Sequence, residues 1–467
     1  MKMWSGRFRQ PLDPRFEQWQ RSFPFDQKLL LHELAASRAH AQALGAAGVL
    51  NAEEWGSILT GLDQIKHKSE TEPGFFNDPE AEDVHHFVEK RLVDLIGDTA
   101  KKLHSGRSRN EQIATDSRLF VRDRIDEINA LLAEFADALV TRAEEAKLAV
   151  MPAYTHLQRA EPVLVAHWLL AYVEMFRRDR QRLADCRKRL NECPLGSGAV
   201  TGATLPLDRS LVSEQLEFDR PTANSIDATC DRDFLIEFVG ALALISVHLS
   251  RWAEEFSLFA TQEYGFIRLP EAYSTGSSAM PQKQNPDSLE LIRAKAARVI
   301  GSQMTLLTIV KGLPLAYNKD LQETQEPLFD AAYTVSLSLE IAAGFMRQVI
   351  FDFHRMGVAC EKGFMNSMAA ATYLARHGVP FRLAHEAVAH AVQKCIEKNC
   401  ELQDLSLAEL QEFSPAFADD VYDHLTIEAV LACHDVPGGT APNRVQQALR
   451  EARHNLAALQ GVHGTYA

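Results

Sequence analysis

The sequence predicts an all-α protein whose centre is a bundle of five long helices. Long stretches of the chain run without the prolines and glycines that usually end helices. Apolar residues recur within these stretches in steps of three and four, the spacing of one helical face. No clear run of alternating β-branched residues competes with this pattern, so we do not expect a sheet to form the core.

The first long helix is predicted between Gly106 and Pro152, a stretch that contains no glycine or proline. Its apolar face is expected to consist of Val121, Ile125, Ile128, Leu132, Phe135 and Leu139. At about 1.5 Å per residue, such a helix would reach roughly 65 Å. That length exceeds the average for a globular helix and indicates a bundle or a coiled-coil-like core.

The other four long helices are predicted from the same signals. We expect them over residues 163–193, 231–264 and 287–311, and from residue 327 past residue 344. The flanks carry shorter helical segments punctuated by proline and glycine. The sequence therefore predicts an N-terminal helical domain (1–108), a central long-helix bundle (109–358) and a C-terminal helical domain (359–467).

Composition excludes several classes of function. A formal net charge of −14 argues against a nucleic-acid partner, although a few arginines in a cleft can still bind a small anion. The seven scattered cysteines form no C-x-x-C pair, so neither a disulfide framework nor a zinc cluster is indicated. With no apolar leader region and no run of about 18 apolar residues, we expect no membrane partner and a cytoplasmic location.

Two segments resemble ligand sites but have simpler interpretations. Residues 82–89 contain Glu82, Asp83, His85, His86 and Glu89, which are possible metal ligands. Their helical spacing favours ordinary surface or interface pairing, so we predict no metal site. The glycines of residues 196–202 follow a helix rather than a strand, and a structural turn is the better interpretation than a dinucleotide loop.

The segment 273–286 (YSTGSSAMPQKQNP) is the strongest candidate for chemistry. Its prolines, glycine and hydroxyl residues preclude a helix, and it leads directly into the helix predicted from Asp287. It can be a surface loop with a helix cap. Its mixture of hydroxyl, lysine and amide side chains is better suited to a loop that closes over a ligand.

This segment resembles the long G-S-S-x-M-P-x-K-x-N motif of the aspartase/fumarase superfamily. Further segments resemble the argininosuccinate lyase family within it: residues 4–8 (WSGRF), 104–110 (HSGRSRN), 154–160 (YTHLQRA), 194–199 (PLGSGA) and 313–323 (LPLAYNKDLQE). The resemblance runs nearly end to end. It implies a three-domain fold, a homotetramer with a twenty-helix core, and sites that each draw on three chains. It also implies elimination of fumarate from argininosuccinate with release of arginine, without a cofactor.

The resemblance also implies roles for four catalytic residues. Ser277 is the candidate base, and Ser278 is its rival. A serine hydroxyl can act as a base only as an alkoxide, which backbone N–H groups and a nearby lysine must stabilise. Lys283 would stabilise the doubly negative aci-carboxylate intermediate. His156 would supply a proton to the leaving nitrogen, directly or indirectly, with Glu290 as its partner. Alternatively, Glu290 completes a capping box with Asp287.

Substrate binding is predicted at eight positions that match the family pattern. These are Ser22, Arg109, Asn110, Thr155, Asn285, Tyr317, Gln322 and Gln325. Arg109 is expected to fork a carboxylate. Arg107 and Arg232 rank lower, since both can form structural ion pairs instead.

Three positions depart from the family pattern. The family usually has Asp at position 111, Lys at 284 and Lys at 325, where this chain has Glu111, Gln284 and Gln325. The last replaces a charge that contacts a substrate carboxylate by a neutral amide. It therefore keeps open a related lyase acting on another N-substituted aspartate. An inert, crystallin-like homologue is a further alternative, although the four catalytic candidates are all retained.

Overall fold

A computed structural model describes residues 10–460, with side chains through residue 457, and its fold is all-α as predicted. The segment Trp4–Phe8, which contributes to the family resemblance, lies outside the described residues. The helices before the central region are α1 (Pro14–Trp19), α2 (Phe23–Asp26), α3 (Leu30–Ala46), α4 (Ala52–Thr71) and α5 (Val84–Ile96).

The central region contains the five predicted long helices and two short ones. They are α6 (Arg109–Ala146), α7 (Val165–Leu190), α8 (Arg209–Gln215), α9 (Ser225–Cys230), α10 (Asp233–Phe259), α11 (Asp287–Val310) and α12 (Gln325–Gln348). All six apolar residues predicted for the first long helix are fully buried, with an exposed fraction of 0%. The four–three pattern therefore identified the packed face of α6 correctly.

Seven further helices follow the central region in the described part of the chain. They are α13 (Phe353–Cys360), α14 (Ser367–Arg376), α15 (Phe381–Lys398), α16 (Leu407–Gln411), α17 (Val421–Leu425), α18 (Ile427–Cys433) and α19 (Pro442–Gln460). Short 3₁₀ segments occupy Gln27–Leu29, Gly97–His104, Glu271–Tyr273, Lys319–Thr324 and Leu402–Asp404.

In the described part of the chain, eight strands form four two-stranded sheets that the sequence pattern did not predict. They are β1 (Val150–Thr155), β2 (Gln158–Leu164), β3 (Glu192–Cys193), β4 (Arg220–Pro221), β5 (Ile267–Arg268), β6 (Thr275–Gly276), β7 (Gln284–Asn285) and β8 (Ile350–Phe351). The pairs are β1–β2, β5–β8 and β6–β7, all antiparallel, and β3–β4, which is parallel. Because Val163 and Leu164 pair with β1, α7 begins two residues later than predicted.

The chain divides into two compact units. The first unit comprises the described residues of Met1–Ile128, Gln181–Leu244 and Ala297–Val335. The second unit comprises those of Asn129–Arg180, Ile245–Ala296 and Ser336–Ala467. The earlier division into three sequence segments stays a prediction.

Each unit has its own apolar core. In the first, Ala36, Ala39 and Ala43 of α3 pack with Leu119 of α6 and Val212 of α8. In the second, aromatic rings dominate: the Trp252 ring centroid lies 5.2 Å from that of Phe135 and 5.5 Å from that of Phe345. Edge-to-face contacts of this kind add stability beyond the burial of apolar area.

Two segments, Asp233–Phe259 and Lys319–Gln348, are long and apolar enough to span a membrane by composition alone. In the most apolar window of each, 56% and 67% of the residues are buried inside the protein. This burial is typical of core helices, so the composition of these two segments is weak support for a membrane span.

Candidate active site

Arg109 is held by carboxylates at the start of α6. Its Nη1 atom lies 3.1 Å from Asp83 Oδ2 and 3.5 Å from Glu82 Oε2. Asp83 is the N-cap of α5 and accepts a hydrogen bond from the backbone N–H of His86. Burial alone would raise the pKa of Asp83, but the positive charges of Arg109 and His85 outweigh it and lower that pKa. Arg109 is therefore oriented by side chains within its own unit.

Ser22 is tied to the same helix start. Its hydroxyl donates to Asp26 Oδ2 (2.6 Å), and Asp26 Oδ1 accepts from the backbone N–H of Val84 (3.0 Å). The backbone N–H of Ser22 donates to the carbonyl of Glu82 (2.9 Å). Burial, together with the negative charge of Asp83, raises the pKa of Asp26 to about 7. Ser22 is 1% exposed, so its position is fixed by these bonds.

Tyr317 is a half-buried residue of the same unit. Burial raises the pKa of its phenol, and the positive charge of Arg232 opposes this rise. The charges of Asp83 and Arg109 also act on the phenol, which places Tyr317 in the same electrostatic environment as the Asp83–Arg109 pair.

Gln322 and Gln325 are buried on either side of the start of α12. Gln322 Nε2 donates to the carbonyl of Gln20 (3.1 Å). The Oε1 atom of Gln325 has no hydrogen-bond partner among the described residues, and the residue is 3% exposed. A buried amide oxygen without a donor is unusual, so position 325 is suited to a ligand that supplies one.

Asn110 and Glu111 connect the start of α6 to the glycine-containing turn. Asn110 Nδ2 donates to the carbonyl of Ala199 (3.2 Å). Glu111 Oε2 accepts from the backbone N–H groups of Gly196 (2.6 Å) and Gly198 (2.9 Å). The segment is therefore a structural turn, as predicted, and Glu111 serves as its anchor.

The first unit also contains a buried polar cluster, which we call the Glu33 cluster: Glu33, His85 and Asp116. His85 Nδ1 lies 2.8 Å from Glu33 Oε2 and 3.7 Å from Asp116 Oδ2. The interpretation of residues 82–89 as surface pairs was wrong for His85, which is 4% exposed and bonded to Glu33 instead of Glu89. Sequence spacing missed this contact because Glu33 is 52 positions away.

The second unit carries His156 and Thr155 at the tip of the β1–β2 hairpin. Thr155 pairs with Gln158, and His156 and Leu157 form the turn between them with φ values of 54° and 58°. Positive φ at two successive non-glycine residues costs free energy. Positive φ at both central positions is also found in the mirror-image turns whose twist suits a hairpin. Residues 155–159 are all exposed. The imidazole is thus presented on an exposed turn of defined conformation.

Ser277 lies in the loop that joins β6 to β7. Its Oγ accepts hydrogen bonds from the backbone N–H groups of Ala279 (3.3 Å) and Met280 (3.1 Å). The hydroxyl of the rival candidate, Ser278, receives no such pair of bonds among the described residues. Because backbone N–H groups stabilise an oxyanion, this turn favours an alkoxide on Ser277.

The base of this loop is fixed on both sides. Thr275 pairs with Asn285 across the hairpin, and Thr275 Oγ1 donates to Asp287 Oδ2 (2.6 Å). Tyr273 packs against α12 where Gly344 leaves room for its ring, since a Cβ at that position would collide with the phenol. The loop between these anchors, residues 277–284, is exposed apart from a partly buried Ser277.

Lys283 and Glu290 are both exposed. Asp287 bonds to Thr275, and the Glu290 carboxylate lies 4.0 Å from Arg293 Nη2, so the two do not form the alternative capping box among the described residues. No hydrogen bond or ion pair between His156 and Glu290 appears in the described part of the chain. Their partnership stays a prediction.

The predicted site residues therefore fall into two groups. The first unit holds Ser22, Arg109, Asn110, Tyr317, Gln322 and Gln325. The second unit holds Thr155, His156, Ser277, Lys283, Asn285 and Glu290. Sequence reasoning missed Asp26, Glu33, Asp83 and Asp116 as parts of the first group. The sequence did carry one signal for such residues: carboxylates and histidines occur in helical segments at positions flanked by apolar residues.

The Glu33 cluster is also where the described residues bring three possible metal ligands within 4.8 Å of one another. The Glu33 carboxylate already accepts from His85, from Gln112 Nε2 (3.1 Å) and from Ser37 Oγ (2.6 Å). These three donors take most of its acceptor sites, so the cluster is better suited to protons than to a cation.

Comparisons with known proteins identify the family of this chain. Residues 6–301 match the lyase family, and residues 364–432 match the argininosuccinate lyase C-terminal family. The argininosuccinate lyase of Koribacter versatilis (strain Ellin345) is 58% identical, with 98% of each chain covered. That of Heliobacterium mobile is 49% identical, with 98% of this chain and 99% of the relative covered.

Solved structures show the same fold. The crystal structure of EDDS lyase in complex with formate is 28% identical with a TM-score of 0.85, covering 97% of this chain and 92% of that one. A class II fumarase from Schistosoma mansoni shares the fold at 17% identity, with a TM-score of 0.72 over 86% of this chain and 90% of that one.

The family models and the full-length similarity to these relatives support one assignment. The chain belongs to the argininosuccinate lyase family of the aspartase/fumarase superfamily, and it is an enzyme that breaks a carbon–nitrogen bond.

Proposed function

We propose that this enzyme catalyses the reversible elimination of argininosuccinate to arginine and fumarate, a step of arginine biosynthesis. The observation that carries the chemistry is the turn that directs two backbone N–H groups at Ser277 Oγ. These donors favour the alkoxide form, which is a strong enough base to remove a proton from the carbon beside a carboxylate.

The other candidate catalytic residues stabilise the negative charge of the intermediate and then protonate the leaving group. Removal of the proton leaves a doubly negative aci-carboxylate, which Lys283 and Asn285 stabilise. The electron pair then forms the double bond of fumarate as the carbon–nitrogen bond breaks. His156 returns a proton to the departing guanidine nitrogen, with Glu290 supporting its charge.

Binding is assigned mainly to the first group. Arg109 forks a substrate carboxylate while Asp83 holds the guanidinium in place. Ser22, Asn110, Tyr317 and Gln322 add hydrogen bonds, and Thr155 adds one from the hairpin tip. Neither a metal nor an organic cofactor takes part in this proposal.

The direct test is ultraviolet-monitored release of fumarate from argininosuccinate by the purified protein. We expect rapid release that Ser277→Ala abolishes. A folded protein that releases no fumarate would contradict this proposal.

A second candidate is a related lyase acting on another N-substituted aspartate. It is favoured by Gln325, which stands where a lysine is usual in the family and whose buried amide oxygen has no donor among residues 10–460. The same assay with other N-substituted aspartates distinguishes the two. Faster release from one of them than from argininosuccinate would establish the alternative.

We also propose that the enzyme is a homotetramer. Ile300, Met304 and Leu307 of α11 are 43%, 58% and 43% exposed and follow an i, i+4, i+7 spacing. Such an apolar stripe is typical of a helix that packs against another chain. We expect a tetramer in light scattering, with smaller species for Met304→Glu. A monodisperse, active monomer would contradict this assembly.

A cytoplasmic location completes the proposal. All seven cysteines are free, as is usual in a reducing compartment. Cell fractionation tests it, and recovery of the active enzyme outside the cytoplasm would contradict it.

A further inference from the structure

The Glu33 cluster joins three helices of the first unit in a buried environment. Glu33 lies on α3, His85 on α5 and Asp116 on α6, and their exposed fractions are 1%, 4% and 0%. Two carboxylates and one imidazole in so small a volume must balance their charge, because an unpaired buried charge is costly.

Glu33 is the ionised member of the pair of acids. It accepts hydrogen bonds from Ser37, Gln112 and His85, and Arg107 Nη1 lies 3.9 Å from its Oε1. Burial alone would raise its pKa, but the charge of His85 and the hydrogen bond from it lower the pKa to about 2. Burial alone would lower the pKa of His85, but the charge of Glu33 raises it to about 9.

Asp116 is in the opposite situation. Neither of its carboxylate oxygens has a donor among the described residues, and both are buried. Burial, together with the negative charge of Glu33, raises its pKa well above the ordinary value. A carboxyl oxygen of Asp116 lies within 4.8 Å of one of Glu33. A neutral Asp116 therefore carries one proton that it can direct toward Glu33, as expected for two carboxyl groups that share a site.

Each of the three helices joined here begins near a candidate binding residue or near a carboxylate that holds one. α3 follows the segment that contains Ser22 and Asp26, α5 begins directly after Asp83, and α6 begins at Arg109. Asp83 is two positions from His85, and Arg109 is seven positions, about two helical turns, from Asp116. Because His85 contacts both Glu33 and Asp116, we expect a shift of either carboxyl group to move the Asp83–Arg109 pair.

We propose that Glu33 and Asp116 are positioning residues for substrate binding, and that they share one proton beside the imidazolium of His85. They act through the helix starts and do not touch the substrate. This inference rests on the proposed function for its kinetic readout, although its proton-sharing part can be measured without any substrate.

The kinetic test compares substitutions that differ in charge and hydrogen bonding. We expect Glu33→Gln and Asp116→Leu each to raise KM by about ten-fold or more with a smaller change in kcat, since the displaced groups bind rather than react. Asp116→Asn should recover most of the affinity lost in Asp116→Leu, because its amide is neutral and retains a donor toward Glu33.

Two further variants control for folding and for charge. Ser37→Ala removes one donor to Glu33 and should raise KM in the same direction but less, even if Glu33→Gln fails to fold. Asp94→Asn removes an exposed carboxyl from the same helix as His85, where it pairs with Arg91 and not with the Glu33 cluster, and should leave the kinetics unchanged.

The shared proton is measured directly by infrared spectroscopy at neutral pH. The difference spectrum of wild-type protein minus Asp116→Asn should contain the carbonyl band of a protonated carboxyl group. Absence of that band, loss of kcat with an unchanged KM in Glu33→Gln, or a stoichiometric divalent metal that Asp116→Leu loses would each overturn the inference. If argininosuccinate is not the substrate, the infrared result is unaffected, so the two proposals fail separately.

Discussion

The two units hold their functional residues in opposite ways. In the first unit, Ser22 is 1% exposed and Gln322 is 6% exposed, and a layer of ion pairs surrounds Arg109. In the second unit, the hairpin tip and the serine loop are mostly exposed, with Leu157 at 69% and Met280 at 45%. Binding groups are thus fixed by side-chain pairing, whereas the candidate reacting groups are fixed by turn backbone.

This difference has a physical reason. A guanidinium that binds a carboxylate must keep its charge and orientation, and buried carboxylates around it secure both. A loop that closes over a substrate must move, and it can move only if few buried contacts hold it. We therefore expect substitutions in the two units to affect different kinetic parameters.

The largest effect is expected from Ser277→Ala, because it removes the proposed base. Loss of a general base typically reduces kcat by about 10²- to 10⁴-fold, and KM should change little. Fumarate release under saturating substrate measures it. Ser278→Ala is the matched control and should retain activity, since its hydroxyl lacks the two N–H donors; the reverse order of effects would assign the base to Ser278.

Arg109→Gln should act mainly on binding. Removing a charge-assisted hydrogen bond costs roughly 1.5–3 kcal/mol, or about 10- to 150-fold in KM. Steady-state kinetics separates this from a change in kcat. Arg124→Gln, on the same helix but paired with Glu127 near the surface, is the control. A fall in kcat alone would contradict the division of roles between the units.

The ionised state of His85 predicts a pH dependence of stability. The pKa of His85 in the folded state is about 9, above an unfolded value of about 6.5. Its contribution to the free energy of unfolding is therefore complete below pH 6.5 and is lost as pH rises through 9. Between pH 7 and pH 9, the free energy of unfolding should fall by about 2 kcal/mol.

Urea titrations of the wild type and of His85→Asn measure this dependence. The fall in the free energy of unfolding should be smaller in His85→Asn than in the wild type. It should equal the wild-type fall in His354→Asn, which removes an exposed histidine. Asp26, with a pKa of about 7, titrates mostly below this window. Equal slopes for wild type and His85→Asn would show that His85 is not charged in the folded protein.

The smallest effect is expected from Gln325→Lys. A cation at this position would restore a charge toward a substrate carboxylate and lower KM for argininosuccinate by several-fold, equivalent to about 1 kcal/mol. Gln325→Leu is the comparison, since it removes the amide without adding charge. A KM that rises in Gln325→Lys would indicate that the buried pocket is adapted to the neutral amide.

The amino-acid sequence determined the helical architecture and the candidate residues. Helical periodicity located α6 and its buried face, and the segment 273–286 identified a loop with catalytic residue types. These features are local, because periodicity, proline and glycine act within a few residues. The β1–β2 hairpin escaped prediction, since its turn uses non-glycine residues at positive φ.

Only the tertiary structure decided which charges meet. Glu33, His85 and Asp116 come from three separate helices, and no spacing in the sequence relates them. The preference for Ser277 over Ser278 as the proposed base also comes from the structure, because it depends on the direction of two backbone N–H groups. Burial and long-range contacts set these properties, and both arise only when the helices pack.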